Sequence, residues 1–473
     1  MGRIAYVCMS DLHLGADSSL LTRLSPGEPA DVSDLARSLQ ACLESLLVGN
    51  GEPKPTLVLL GDVLELALAR DEDSATAFQR FAELVMRTDR ELFGEVVYVP
   101  GNHDHHLWEG AREAQYAAYV GRREAGEPLE APWHSTRMLR ESDPTPLTSP
   151  LLTALLHRAR PSAEEQLGVA TVYPNLGLRR DGRLVAFHHG HFQEAAYRLL
   201  TTLDGYAFGS PEPEWVWDLE ADNFAWIDFF WSGLGRSGSA GTHVNHIFNH
   251  LQDPEGREEL VDDLSRGFSQ ALRVAPWPWL ERLADPGEEL LIHGLLQQLA
   301  ALGDTLGRRA YYGGKPPEQA LNEGLTHYVG KYVTGQILRE CAGELPGELT
   351  FVFGHTHSPF EKADVRVGDG GIPWQVFNTG GWVHESAQRQ PRIGASLVLL
   401  DEELTPVALR LYDEGADFST WRVHAEEAAE AHSAFFEQVQ DALASDPGPW
   451  AAFVRLADEA IGEACERFEH ATE

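Results

Sequence analysis

Lysine is nearly absent from this chain, occurring only at Lys54, Lys315, Lys331 and Lys362, so arginine carries almost all of the positive charge. Cysteine is as scarce. Cys8, Cys42, Cys341 and Cys465 stand far apart and form no CxxC pair, which argues against a disulfide framework or a thiolate zinc site and fits a reducing, cytoplasmic setting. No apolar run reaches the ~20 residues that span a bilayer. The opening Met1-Gly-Arg-Ile-Ala-Tyr-Val-Cys lacks a signal-peptide layout and reads as a first strand. Positive charge is short overall, with 37 Lys and Arg against 73 Asp and Glu and a formal net charge of −36. Such a surface repels polyphosphate backbones, which argues against a general nucleic-acid binder. It leaves a phosphorylated substrate possible, because a bound cation inverts the local field. At 473 residues and 43% hydrophobic, there is ample material for one elaborated domain or two to three ordinary ones.

Five apolar, strand-like runs each end in a cluster of metal-type ligands. Ile4 to Met9 leads into Ser10-Asp11-Leu12-His13, and Leu57 to Leu60 into Gly61-Asp62-Val63-Leu64-Glu65. Val96 to Pro100 leads into Gly101-Asn102-His103-Asp104, Leu184 to Phe187 into His188-His189-Gly190-His191, and Leu349 to Phe353 into Gly354-His355-Thr356-His357. Continuous apolar runs of this length suit strands buried on both faces. Ligand sites in open α/β sheets gather at the carboxyl ends of such strands, so the five clusters are expected to converge on one edge.

Between the early strands, Ser33 to Leu47 and Ser74 to Leu92 carry apolar residues at helical spacing, with Ser74 a candidate N-cap. Asp181-Gly182, flanked by Val169 to Val172 and Leu184 to Phe187, reads as a hairpin turn. The expected fold class is therefore α/β, with a mixed sheet flanked by helices.

In order, residue type and strand context the five clusters resemble the calcineurin-like metallophosphoesterase family, whose blocks are Asp-x-His, Gly-Asp-x-x-Glu, Gly-Asn-His-Asp, His-Gly-His and Gly-His-Thr-His. The resemblance implies a mixed β-sandwich and a pair of divalent transition-metal ions, Mn first, with Fe, Zn or Ni as alternatives. Carried over residue by residue, it assigns Asp11, His13 and His357 to one ion, Asn102, His189 and His355 to the other, and Asp62 to both. Attack by a metal-bound hydroxide on a phosphate ester is the implied chemistry, since two ions ~3.5–4 Å apart lower the pKa of water and clamp the phosphate. His103 is expected at the leaving-group oxygen, with Asp104 orienting its ring. Glu65 is expected to orient a ligand or cap the next helix, His188 to pack, and His191 to touch substrate or support a ligand. His105 and His106 are read as surface residues without a specific task, and His243, His246 and His250 as surface or packing residues. Near the end, Asn378-Thr379-Gly380-Gly381-Trp382 is similar to the branch that includes UDP-2,3-diacylglucosamine pyrophosphatase. That branch commonly has arginine where this chain has His103, and is about half as long.

The resemblance places the catalytic core in residues 1–106, 183–192 and 349–412. Residues 107–182 form one insertion and 193–348 a helical cap, both expected over the metals. Six of the 12 tryptophans, among them Trp215, Trp217, Trp226, Trp231, Trp277 and Trp279, fall in the cap. They read as cap or dimer core, or as a greasy groove for a lipid-linked substrate with peripheral membrane contact. Residues 413–473 are expected to be an acidic helical extension, broken at Asp446-Pro-Gly-Pro. The function expected is hydrolysis of a phosphomonoester, phosphodiester or pyrophosphate of a small or lipid-linked molecule. The alternatives are a nuclease, which needs a basic track, and a non-catalytic scaffold, which would not need all seven ligands. Oligomeric state is not legible.

Overall fold

A computed structural model describes residues 2–86, 91–140, 147–163, 167–233, 323–368, 370–429 and 432–472. Two sheets face one another. The first runs β15 (His424–Glu426), β14 (Pro406–Asp413), β13 (Gly394–Asp401), β1 (Ile4–Met9), β4 (Thr56–Leu60), β5 (Glu95–Val99), β7 (Val169–Thr171) and β6 (Leu147–Thr148). The second runs β11 (Phe360–Val367), β12 (Ile372–Asn378), β10 (Glu348–Phe353), β9 (Arg183–His188) and β8 (Asn175–Arg180). A small ribbon of β2 (Thr22–Arg23) and β3 (Asp31–Val32) stands apart. Parallel pairs β1–β4, β4–β5 and β9–β10 mix with antiparallel β1–β13 and β8–β9, so the mixed α/β sandwich expected from the sequence is present.

Side-chain alternation explains why the strand sequences are apolar throughout. Cys8, Val58, Leu60, Val97 and Val99 of the first sheet meet Leu176, Val185, Phe187, Val352 and Phe377 of the second in the layer between the sheets. Their neighbours Val7, Leu57, Leu59, Val96 and Tyr98 point outward into a second core under the helices. A strand whose two faces are both covered has no polar side to alternate with.

The helices on that outer face are α1 (Asp34–Leu46), α2 (Asp71–Val85), α3 (His106–Gly121) and α4 (Pro150–Ala159). Ser33 caps α1 by accepting from the Ala36 amide. Ser74 does not cap α2. That helix begins a turn earlier, with Asp71, Glu72 and Asp73 at its positive end, and the Ser74 hydroxyl donates instead to the Glu65 carbonyl at 2.7 Å. The Asp181-Gly182 turn forms as expected, with φ of 44° and 83°. Its strands are β8 and β9, however, while Val169–Thr171 joins the other sheet.

The cap residues that are described include α5 (Leu199–Phe208), α6 (Val216–Trp226) and a continuous helical run from α7 (Glu323–His327) through a wide turn at Tyr328–Val333 to α8 (Thr334–Glu340). Val216, Leu219, Leu325, Tyr328, Val329, Tyr332 and Val333 pack with Leu184, Phe351, Phe353, Trp374 and Val376 on the outer face of the second sheet. These described helices cover a sheet face, and residues 234–322 of the expected cap lie outside the described residues. Trp215 and Trp217 stack at 5.4 Å with the Arg339 guanidinium over Trp217, and Trp217 and Trp226 pack on the same core, so these tryptophans fill the cap. Trp277, Trp279, His243, His246, His250 and the side chain of Trp231 lie outside the described residues.

The tail is not helical from its start, since β15 adds a strand to the first sheet before α9 (Ala434–Ser445) and α10 (Pro447–Thr472). The expected break falls at Asp446, and Phe453, Val454 and Ile461 of α10 join the core with Leu39 and Leu43 of α1. No described helix is long and apolar enough to cross a membrane.

Candidate metal centre

The five clusters sit at the carboxyl ends of β1, β4 and β5 from one sheet and β9 and β10 from the other, so the centre lies where the two sheets meet. The backbone turns sharply there. Asp11, His13, Asp62, His355 and His357 all have positive φ, between 43° and 68°, a region that residues with a Cβ seldom enter and that costs of order 1–3 kcal/mol each. Main-chain bonds hold these turns: Asp11 N–H donates to the Gly61 carbonyl at 3.0 Å, His13 to Asp62 at 2.9 Å, and Gly354 to His189 at 2.8 Å. Gly61 must be glycine, because its φ is 80° and a Cβ would collide with His189 Nδ1.

All seven side chains expected at the ions come together. Asp11, His13 and His357 form one group whose ligand atoms lie within 4.8 Å of one another, and Asp62, His189 and His355 form a second. Asp62 also groups with His13 and His103, so its carboxylate stands between the two sets. Asn102 adjoins the second set, its Oδ1 3.1 Å from His189 Nε2. Asp62 Oδ2 is 3.1 Å from His189 Nε2 and 3.6 Å from His13 Nε2, and Asp11 Oδ1 is 3.3 Å from His357 Nε2.

Asp11 Oδ1, His13 Nε2 and Asp62 Oδ2 are buried and hydrogen-bonded to nothing. Three such atoms facing one space are costly unless a cation satisfies them. The remaining ligand atoms are tied down: Asp11 Oδ2 accepts from the His355 amide at 2.9 Å, Asp62 Oδ1 from the His103 amide at 2.8 Å, and His189 Nδ1 donates to the Leu60 carbonyl at 3.0 Å. Mixed nitrogen and oxygen donors suit a divalent transition metal.

Glu65, fully buried, accepts from Nδ1 of His13 at 2.8 Å and Nδ1 of His103 at 2.9 Å, and from the amides of Ala67 and Leu68. It both orients a ligand and caps the following turn. Burial opposes its charge, but His103 and His13 hold its pKa down at about 2. Holding Nδ1 leaves each ring's Nε2 for the centre.

Asp104 does not orient His103. Its oxygens accept from the amides of Gly101, Asp62, Val63 and Leu64 at 2.7–3.3 Å, clamping the second and third clusters to each other. Burial and the nearby Asp62 raise its pKa to about 6. Adjacency in sequence suggested the Asp104–His103 pair, but the turn carries the two side chains apart and Glu65 takes the place.

His188 accepts from the Gly190 amide at 2.8 Å and packs against Tyr328. His191 is buried, with Nε2 3.4 Å from the Tyr173 hydroxyl. His105 is not a surface residue. It is fully buried, with Nε2 2.9 Å from Glu220 of α6 and Nδ1 3.6 Å from Asp228, which also lies 3.3 Å from His106. Glu194, which nothing in the sequence marks, places Oε1 3.3 Å from His355 Nε2.

Burial lowers the pKa of His13 and His189, yet neighbouring carboxylates raise both to about 9: Glu65 and Asp62 act on His13, Asp62 and Asp11 on His189. The value for a free imidazole is 6.5. In metal-free protein these two groups stabilise the fold fully below pH 6.5, and that contribution is lost as pH rises through 9. Cations compete with the same protons, so metal binding strengthens over that interval. The thermal midpoint of chelator-treated protein should therefore fall between pH 6.5 and 9 while its gap below metal-loaded protein widens. Parallel pH curves would contradict this reading.

Residues 4–223 match the family model described as calcineurin-like phosphoesterase. No curated protein matches the chain. The match stops short of Gly354-His355-Thr356-His357, which reaches the same centre through the parallel pairing of β9 with β10.

Proposed function

We propose that this chain, a calcineurin-like phosphoesterase over residues 4–223, uses a dinuclear centre to hydrolyse a phosphomonoester, phosphodiester or pyrophosphate of a small or lipid-linked molecule. The family makes it a metal-dependent phosphoesterase in general; the pair of ions and the substrate classes are our reading. One observation carries it: six of the seven expected ligand side chains fall in overlapping groups linked through His13 and Asp62, and Asn102, the seventh, lies beside His189. In this reading Asp11, His13 and His357 hold one ion, Asn102, His189 and His355 the other, and Asp62 both. When bound, the ions supply Lewis acidity toward the phosphoryl oxygens and lower the pKa of an attacking water. Mn is the first candidate, with Fe, Zn or Ni as alternatives.

The chain's own groups then position and protonate. Glu65 accepts from Nδ1 of His103, which orients that ring and leaves Nε2 toward the departing oxygen. His13 and His103 rings lie edge to face at 4.8 Å, which keeps that donor beside the ligand set. The acidic composition argues against a nuclease, and a scaffold that only binds partners has no use for buried, unsatisfied ligand atoms.

The test is phosphate release from a panel of aryl phosphates, diesters, nucleotides and lipid pyrophosphates, with chelator and with Mn or Ni restored. Activity on at least one class that is lost with chelator and regained with metal is expected; none on any class would overturn the reading. His103→Ala should keep both metals and lower kcat by about 10²-fold or more, the usual share of a positioned acid. A wild-type rate on an aryl phosphate would remove His103 from the mechanism.

A further inference from the structure

A cavity of about 200 Å³ opens at Ser358, and is lined also by Pro359, Arg392, Arg410, Trp421 and His424, with Glu361, Asp413 and Glu426 among the remaining walls. It is tied to the centre by main chain: Ser358 follows His357, and the Gly394 amide, two residues after Arg392, donates to the His357 carbonyl at 3.1 Å. It is smaller than the roughly 300–1,000 Å³ of a complete small-molecule pocket, so it suits one part of a ligand.

Its charges pair off unequally. Arg410 Nε lies 3.2 Å from Glu361, and His424 Nε2 lies 3.3 Å from Glu426. The Asp413 carboxylate accepts from the backbone amides of Gly415, at 2.8 Å, and Arg392, at 3.4 Å. The Arg392 guanidinium has no ion pair or hydrogen bond among the described residues, and its Nη1 is buried. Arg392 also holds a φ of 75°, a left-handed conformation that an arginine does not adopt without cost. In a chain of net charge −36, acidic partners are plentiful, yet among the described residues this guanidinium meets none.

We propose that Arg392 is the specificity-determining residue of a second anion subsite, which takes a phosphate group carried by the substrate in addition to the one that is cleaved. The inference rests on the phosphoesterase reading above and adds a substrate class: esters bearing two phosphates. A guanidinium offers the flat, two-pronged donor pair that a phosphate oxyanion accepts. The half-buried Trp421 indole, held by Nε1 donating to the Leu411 carbonyl at 3.0 Å, gives the subsite a fixed apolar wall.

The experiment compares alkanediol bisphosphates of increasing chain length with alkyl monophosphates of the same length, on metal-loaded wild type, Arg392→Ala and Arg392→Lys. Calorimetric binding of the corresponding non-hydrolysable bisphosphonates and monophosphonates runs in parallel. Wild type should prefer the bisphosphate at one chain length, in kcat/KM and in binding. Arg392→Ala should lower the bisphosphate-to-monophosphate ratio by about 10- to 100-fold, the usual range for a charge-assisted hydrogen bond, and Arg392→Lys should restore part of it. A ratio that does not move, in rates and in binding, overturns the subsite. Hydrolysis of neither ester by wild type would remove the phosphoesterase reading instead, and the bisphosphonate preference would then decide Arg392 by itself. Should Arg392→Ala fold poorly by its thermal midpoint, the lysine variant carries the comparison.

Discussion

Asp62→Asn should remove at least one metal equivalent per chain and lower phosphate-ester turnover by on the order of 10³-fold. The size follows from what the carboxylate does. Asp62 sits in two ligand groups at once and contacts both His189 and His13 through one oxygen. Its other oxygen anchors the His103 amide. Asparagine keeps the shape and that anchor, but it removes the negative charge that two cations would share in the proposed centre. Losing one ion forfeits several kcal/mol of transition-state stabilisation, and each ~1.4 kcal/mol is tenfold in rate. Metal analysis with turnover of an aryl phosphate decides the point. Full metal content and near wild-type turnover would mean that Asp62 does not join two ions.

The second large effect is on stability. Glu220 is fully buried and carries both the His105 Nε2 contact at 2.9 Å and a hydrogen bond from the Tyr173 hydroxyl at 2.8 Å. Burial raises the pKa of Glu220 while His105 pulls it down, and Glu220 with Asp228 raises that of His105 to about 9 against its own burial, so each side favours the charged form of the other. Glu220→Ala takes away the nearer carboxylate and leaves His105 with Asp228 at 3.6 Å; breaking one side of a buried pair costs about 3–5 kcal/mol. Replacing both residues with leucine should cost less than the single change, because no charge is then left in the core. The thermal midpoints of the two variants make the comparison; losses that simply add would show that the two side chains do not act as a pair. Because His105 begins the turn into α3 just after Asn102 and His103, the pair also fixes the cap helix α6 against the catalytic edge.

The clusters at the candidate metal centre were legible as sequence patterns because the candidate ligands sit directly after buried strands. The strands announce themselves as apolar runs, and their ends are rich in histidine and aspartate. Sequence order alone could not assign the partners around them. Asp104 stands next to His103 in the chain yet faces backbone amides of another cluster, while Glu65, distant in sequence, reaches both His13 and His103. His105 looked like one of a run of surface histidines because Glu220 lies more than a hundred residues away. Ser74 had the right residue type for an N-cap, but the helix starts three residues before it, with Asp71, Glu72 and Asp73 in the first turn. β15 was missed because a strand of three residues at a sheet edge carries too short a pattern to read. The same limit applies to Arg392: its proposed role rests on a guanidinium without an ion pair among the described residues, which is visible only once the chain is folded.

Elemental analysis of the purified chain, combined with a magnetic-resonance measurement after Mn loading, tests the dinuclear reading most directly. Two Mn ions per chain with coupled spins, both lost with chelator, are expected. A single uncoupled ion in fully active protein would contradict it.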